Sequence, residues 1–486
     1  MSKTILNLEE SHDLEARCAT RLGEDALMRR AAAFAADIIA ERSPGRVITV
    51  LAGPGNNGGD ALAAAVLLKQ KGFAVTVVSP GPQTSALAKA MRDEWLAAGG
   101  EMLEDPYMAP KSDCVVDGLF GTGMNRPLKD PYLDAVLWFS ERQAYKVALD
   151  IPTGLNSETG LWIGGLPGCR ADLTLTFLSQ KAGLYMNEGP EAAGEVLLSE
   201  LDVSVPLTRL GLISMEEDFE HVLQPRPKLS HKGTFGRLAV IGGASGMTGA
   251  AILAARAGLT LGAGLVKVEL LAEGAPDFDP IMPELMISKT PLELDNFSAV
   301  VVGPGMGTDE KAQARLAAAL ACDRPLVLDA DALTMIANDK KFLEILLHRK
   351  AATVITPHEG EGARLLKVDV KQITNQRVDS VRDLALLTGA TTVLKGPGTL
   401  VAMRSSRTWL SPVADASLAT AGSGDVLSGM IGAFLAQRYD TIEAVLAAVT
   451  LHALSPQGAQ AGFTAGQIAP AAAKILDAKR REVVTA

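Results

Sequence analysis

The chain has 486 residues, of which 48% are hydrophobic, ample for two cores and too long for one ordinary domain. Its formal charge of −10 excludes a nonspecific DNA or RNA binder, because neutralising phosphates needs a basic surface. Four cysteines (Cys18, Cys114, Cys169 and Cys322) are scattered without CxxC or His-containing metal spacing, which excludes a disulfide framework and a zinc site.

The opening segment, Met1 to Arg17, is charged and has no apolar stretch of the kind that directs export, so a cytoplasmic protein is expected. Short β-branched runs then alternate with Ala/Leu-rich segments throughout, the pattern of α/β domains with parallel sheets covered on both faces. In the first half, strands are predicted at Arg46 to Leu51, Phe73 to Val78, Cys114 to Val116, Lys146 to Leu149 and Leu173 to Phe177.

Three polar loops follow these strands, at the carboxyl ends where open α/β sheets place ligands. Gly53-Pro54-Gly55-Asn56-Asn57-Gly58-Gly59-Asp60 satisfies GxGxxG, but the next strand ends in Ser79-Pro80, without the acidic residue that a dinucleotide fold places on the ribose. A conventional hydride-transfer domain is therefore rejected. The two Asn and the Asp offer oxygens to a hard monovalent cation or a polar ligand, with an Asx-rich turn as the structural alternative. Asp117 opens a second loop, running through Gly121, Thr122, Gly123, Met124, Asn125, Arg126 and Pro127, and Asp150-Ile151-Pro152-Thr153-Gly154 forms a third. Arg126 could pair with a phosphate.

GPGNNGGD, DGLFGTG and DIPTG, in that order, closely resemble the NAD(P)H-hydrate epimerase domain over roughly Met1 to Leu201. The resemblance implies substrate contacts at Asn56, Asn57, Gly58, Gly59 and Asp60, and at Gly121 through Pro127. It implies potassium ligands at Asn57, Asp117 and Thr153, and an acid/base at Asp150. Ala61 stands where that family usually has glycine, and Leu27-Met28-Arg29-Arg30-Ala31-Ala32 where it has an acidic or amide residue and a glycine.

Periodicity is lost from Asp202 to Lys228, which contains Pro206, Pro225 and Pro227, so two domains are expected, residues 1–212 and 213–486. Strands of the second half are predicted at Leu238 to Ile241, Leu265 to Leu270, Ala299 to Val302, Leu326 to Leu328, Thr353 to Ile355 and Thr392 to Leu394. Met247 to Val266, the most apolar stretch, is interrupted by Arg256 and glycines and reads as a buried helix and strand, not a membrane span. The halves do not read as a tandem repeat, because their glycine loops differ and follow different expected strand orders.

Glycine loops again follow the strands: Gly242 to Ala251, Gly303 to Gly307, then Asp329-Ala330-Asp331 and Thr356-Pro357-His358-Glu359-Gly360-Glu361. Glu361 suits helix capping as well as function, whereas His358 behind a proline is harder to assign to capping. Lys395-Gly396-Pro397-Gly398-Thr399 offers an ammonium, free N–H groups and a hydroxyl to nucleotide phosphates without Walker spacing. In Thr420-Ala421-Gly422-Ser423-Gly424-Asp425, a small-residue turn opens an apolar helix expected at Val426 to Gln437. Such a turn can hold a phosphate beside a general base, Asp425, for which a helix N-cap is the plainer role.

GGASG, GPGMG, DADAL, TPHEGE, KGPGT and TAGSGD strongly resemble the NAD(P)H-hydrate dehydratase domain, a ribokinase-like fold, over roughly Phe219 to Arg481. By that resemblance Ala251, Gly305, His358 and Asp425 contact the hydrated dinucleotide, Lys395 through Thr399 and Gly424 bind ADP or ATP, and magnesium accompanies the nucleotide. The two resemblances imply an N-terminal Rossmann-like α/β/α sandwich and a C-terminal ribokinase-like α/β/α domain. They imply an enzyme that epimerises NAD(P)HX and dehydrates it, acting on small molecules without nucleic acid or membrane partners, with a homo-oligomer expected. The alternatives are a ribokinase-like small-molecule kinase, and a dehydratase carrying a noncatalytic N-terminal binding module.

Overall fold

The computed structural model describes residues 4–23, 25–404, 407–459 and 462–485; Met1 to Lys3 of the charged opening segment lie outside them. The chain divides into two compact units, Met1–Leu210 and Gly211–Ala486.

In the first unit seven strands form one parallel sheet: β1 (Val47–Ala52), β2 (Ala74–Val78), β3 (Met102–Leu103), β4 (Cys114–Gly118), β5 (Tyr145–Leu149), β6 (Leu173–Phe177) and β7 (Glu195–Ser199). Their order is β3-β2-β1-β4-β5-β6-β7. Because side chains alternate along a strand, Ile48 and Val50 of β1, with Cys114 and Val116 of β4, enter a core that includes Ala35, Ala36 and Ile39. Leu51 and Val115 enter a separate core with Trp138 and Phe139. Both faces are thus covered, as expected of near-continuous apolar strands.

The second unit holds a ten-stranded sheet of β8 (Leu210–Leu212), β9 (Arg237–Gly242), β10 (Leu265–Leu270), β11 (Met286–Ser288), β12 (Ala299–Val302), β13 (Leu326–Leu328), β14 (Thr353–Ile355), β15 (Thr391–Leu394), β16 (Leu400–Ala402) and β17 (Thr408–Leu410). The order is β11-β10-β9-β12-β13-β14-β15-β16-β17-β8, parallel from β11 to β15 and antiparallel through β16 and β17. Counting from β9, its parallel part repeats the strand order of the first sheet. The expectation of different strand orders is therefore corrected. It rested on loop sequence, and glycine loops report local backbone need, not the lateral position of a strand.

Met247 to Val266 becomes the helix Thr248–Thr260 and the start of β10, and no helix among the described residues is long and apolar enough to cross a membrane. The helix expected at Val426 begins earlier, spanning Ser423–Ala436, and nearly all of it is buried. Its glycines allow that burial: a methyl group at Gly429 would sit 2.0 Å from the Ala254 carbonyl oxygen, and one at Gly432 2.5 Å from Val301.

Candidate active sites

In the first sheet the chain leaves β1 toward β2 on one side and returns to β4 on the other, so a crevice opens between their carboxyl ends. A cavity of about 770 Å³ lies there, and Asn57, Asp60, Gly121, Thr122 and Asp150 are among its lining residues. The Asn-Asn-Gly-Gly-Asp run is not an Asx turn but the first turn of the helix Asn56–Gln70, with Gly55 as N-cap. Its unpaired N–H groups and helix dipole thus face a site suited to an anion.

Beneath this cavity Asp117, fully buried at the end of β4, accepts hydrogen bonds from the Thr153 N–H (2.8 Å), the Thr153 hydroxyl (2.7 Å) and the Leu119 N–H (3.1 Å). Burial raises its pKa against those bonds. The Phe120 N–H donates to the Thr153 hydroxyl at 3.0 Å, which ties the second loop to the third. Asn57 is 8% exposed, yet its side-chain oxygen and nitrogen are both buried without a hydrogen-bond partner. A buried amide left unpaired is costly, so this position fits a ligand.

Asp150 follows β5 in a left-handed conformation, φ 66°. One carboxylate oxygen lies 2.6 Å from the buried Lys181 ammonium, and the other accepts from the Thr122 N–H at 3.4 Å. Asp60 and Glu15 line the same cavity, and burial first, then the charge of Asp150, raises the pKa of each.

Other expected residues fall differently. Gly58 and Gly59 serve close packing: a Cβ at Gly58 would meet the Gly53 carbonyl oxygen at 2.0 Å, and one at Gly59 the Met28 methyl at 2.5 Å. Gly121 through Met124 line the cavity, whereas Asn125, Arg126 and Pro127 are exposed and are not among its lining residues. The Ala61 methyl packs where Gly118 has no side chain, and Arg29 pairs on the surface with Asp25 and Glu94 while Leu27, Met28 and Ala31 face the cavity. Both departures from the epimerase pattern are thus accommodated.

In the second unit the strand-end loops are stitched together. The Ala244 N–H donates to the Gly305 carbonyl at 2.7 Å, the Gly307 N–H to Asp331 at 2.9 Å, and the Lys395 N–H to the Pro357 carbonyl at 2.9 Å. Gly305 takes φ 54° and is buried, and the Ala251 methyl is fully buried against Gly242 and Gly243, so both lie within the loop scaffold. Lys395 bridges to Asp329 at 2.8 Å and to Glu361 at 3.9 Å. Burial works against its charge, but Asp329, Glu361 and Asp425 outweigh that and raise its pKa.

Gly422 is the left-handed N-cap of Ser423–Ala436, which leaves Asp425 in the first turn without a capping bond. A Cβ on Gly424 would lie 3.1 Å from the Lys395 ammonium, so Lys395 and the helix start share one surface. Burial, then the neighbouring Asp329, pushes the Asp425 pKa up to about 7. His452, partly buried and held by desolvation at a pKa of about 4, lies 3.0 Å from the Ser423 carbonyl oxygen and so pins the first residue of that helix.

His358 corrects the sequence reading, because it is itself the N-cap. Its Nδ1 accepts from the Gly360 and Glu361 N–H groups at 3.0 and 3.4 Å, while Glu361 accepts from the His358 N–H at 2.9 Å, a reciprocal capping box. Nε2, on a half-exposed ring, lies 3.5 Å from a Glu361 carboxylate oxygen. Arg377 was not anticipated. Buried and paired with Glu359, it donates to the Gly398 carbonyl at 3.1 Å and so holds the Lys395–Thr399 turn from behind. Lys181, Glu15 and Arg377 lie far in sequence from the loops they serve, and no local spacing marks them.

Residues 238–478 match the family model described as NAD(P)H-hydrate dehydratase, and residues 24–183 the one described as YjeF-related protein N-terminus. The bifunctional NAD(P)H-hydrate repair enzyme of Coxiella burnetii is 33% identical over 471 residues, 92% of this chain and 94% of that protein. Its namesake in Escherichia coli is 36% identical over 438 residues, 86% of this chain and 82% of that protein. Among solved structures, an ADP/ATP-dependent NAD(P)H-hydrate dehydratase from Bacillus subtilis, co-crystallised with ATP and magnesium, is 27% identical with a TM-score of 0.46, over 54% of this chain and 96% of that one. A ribokinase-like superfamily protein from Enterococcus faecalis is 26% identical with a TM-score of 0.49, over 57% and 99%. The chain belongs to the family of bifunctional NAD(P)H-hydrate repair enzymes.

Proposed function

We propose that residues 1–212 interconvert the R and S epimers of hydrated NAD(P)H, and that residues 213–486 dehydrate the S epimer at the expense of ADP or ATP. The observation that carries this is Asp425 in the first turn of a buried helix beside Lys395, with its pKa near about 7. A base of that strength at a helix N-terminus can take a proton from a hydroxyl while the free N–H groups receive a phosphoryl group.

Water is a poor leaving group. Phosphorylating the ring hydroxyl and expelling it as phosphate restores the conjugated dihydronicotinamide, and such transfer depends mainly on positioning and charge stabilisation. Lys395 through Thr399 and Gly424 bind the nucleotide, and His358 reaches the hydrated dinucleotide through Nε2. A magnesium ion accompanying the nucleotide would supply positive charge to the transferring phosphoryl group.

In the first unit Asp150 is the acid/base on the hemiaminal. The unpaired Asn57 amide oxygen, with Asp117 and Thr153, fits an all-oxygen site for potassium, which would supply positive charge near the substrate phosphates. The charge and cysteine pattern support a cytoplasmic location. Hydrated NADPH supplied with ADP or ATP should regain dihydronicotinamide absorbance. Accumulation of a stable phosphoester without that recovery would establish a simple kinase instead.

A further inference from the structure

Opening the hemiaminal ring requires removing a proton from oxygen and adding one to the ring nitrogen. A fixed carboxylate serves one of these atoms well, and two groups serve both. Lys181 is not the second. Its ammonium donates to Asp150 (2.6 Å), the Thr176 hydroxyl (2.8 Å) and the Phe177 carbonyl (2.7 Å), which uses all three of its protons.

The helix Leu8–Leu22 supplies another candidate. It is fixed by a capping box between Asn7 and Glu10 and by burial of Leu14 and Cys18. Ser11, His12, Glu15, Ala16 and Ala19, which share one helical face, line the cavity that Asp150 also lines. The Glu15 carboxyl accepts a hydrogen bond from the Ser11 hydroxyl at 3.3 Å. Burial and then Asp150 raise its proton affinity, against His12, Lys181 and Ser11, which lower it. Asp60 lines the same cavity from the helix Asn56–Gln70, and burial and then Asp150 raise its pKa too.

We propose that Glu15 is a second acid–base residue of the epimerase site, working with an Asp150 carboxylate that Lys181 holds in position. The inference rests on the epimerase reading. Asp150 takes the hydroxyl proton as the ring C–N bond breaks to give an aldehyde, and Glu15 gives its proton to the departing nitrogen. The aldehyde turns about the adjoining C–C bond, the nitrogen attacks its other face and returns its proton to Glu15, and Asp150 protonates the new hydroxyl. No electron, water or outside proton is consumed.

The test uses the full chain and a single purified epimer, following epimerisation by chromatography across pH, with dehydration of the S epimer as the internal control. Glu15→Gln should lower the epimerisation kcat roughly 10²-fold or more, leave KM within about threefold and remove the alkaline limb of the pH profile. Lys181→Met should lower the epimerisation kcat with KM for the epimer little changed, because the Asp150 carboxylate loses the ammonium that positions it. Wild-type epimerisation in Glu15→Gln, or an unchanged pH profile in that variant, overturns the inference while Asp150→Asn remains inactive. If wild type shows no epimerisation, or Asp150→Asn retains it in full, the epimerase reading itself falls and this one with it.

Discussion

Asp425 and Asp150 pose the same question, how a carboxylate becomes a useful base, in different settings: the first turn of a buried helix and the end of an interior strand beside Lys181. Asp425 is raised to about 7 by burial and by Asp329, so dehydration should require its ionised form: kcat rises as pH increases through about 7 and is flat above it. Asp425→Asn should keep nucleotide binding, measured by calorimetry, and lose at least about 10²-fold in turnover. Loss of binding with intact folding would make it an ordering residue instead. His452 carries a stability prediction of definite sign. Its pKa is about 4 in the folded protein against an ordinary 6.5, so the unfolded chain takes up the proton first as pH falls. Its contribution is complete above about 6.5 and erodes toward 4, which a Tm series over that range in wild type and a His452→Gln variant will read as a smaller acid loss in the variant. Sequence alone exposed Asp425, Asp150 and Asn57 because each sits in a short segment of distinctive sequence, a strand end for Asp150 and a glycine-rich helix start for the other two. It hid Glu15, Lys181 and Arg377, single charged residues whose neighbours are set only after the chain is folded.

The helix Ser423–Ala436 shows how an element fixes a residue. It is apolar on every side and lies against Thr248–Thr260 and β9 through Gly429 and Gly432, so its first turn has little freedom. Gly429→Ala places a methyl 2.0 Å from a backbone oxygen. It should cost about 1–3 kcal/mol by denaturant unfolding and reduce dehydration while sparing epimerisation. Behind the nucleotide turn, Arg377→Lys removes the planar fork that reaches both Glu359 and the Gly398 carbonyl. A lost hydrogen bond to a charged group is worth about 1.5–3 kcal/mol, so nucleotide KM should rise about tenfold or more with the KM for hydrated dinucleotide little changed. Each strand expected from β-branched runs is present, because buried parallel strands carry a dense apolar signal. Those not anticipated lie toward sheet margins, such as β7 with its exposed Glu195, or are very short, such as β3 and the β16–β17 hairpin. Their apolar stretches are only two or three residues long.

At the scale of the whole molecule, two units share one parallel strand order but carry their candidate site residues after different strands. Those of the first follow β1, β4 and β5, and the polar ones of the second follow β14 and β15 or open the helix Ser423–Ala436, which comes after β17. Fusion lets both epimers of a damaged pool drain through one dehydratase. Asp150→Asn in the intact chain should therefore stop at partial recovery of dihydronicotinamide from an epimer mixture, where wild type runs to completion. The unpaired Asn57 amide has a thermodynamic corollary. A monovalent ion that completes its coordination only in the folded state is linked to unfolding by mass action and adds roughly 2.7 kcal/mol at a hundredfold excess over Kd. Melting in potassium chloride against tetramethylammonium chloride of equal ionic strength should separate by several degrees in the wild-type protein and coincide in Asn57→Ala, so that the salt composition of the medium becomes a dial on the durability of the epimerase unit.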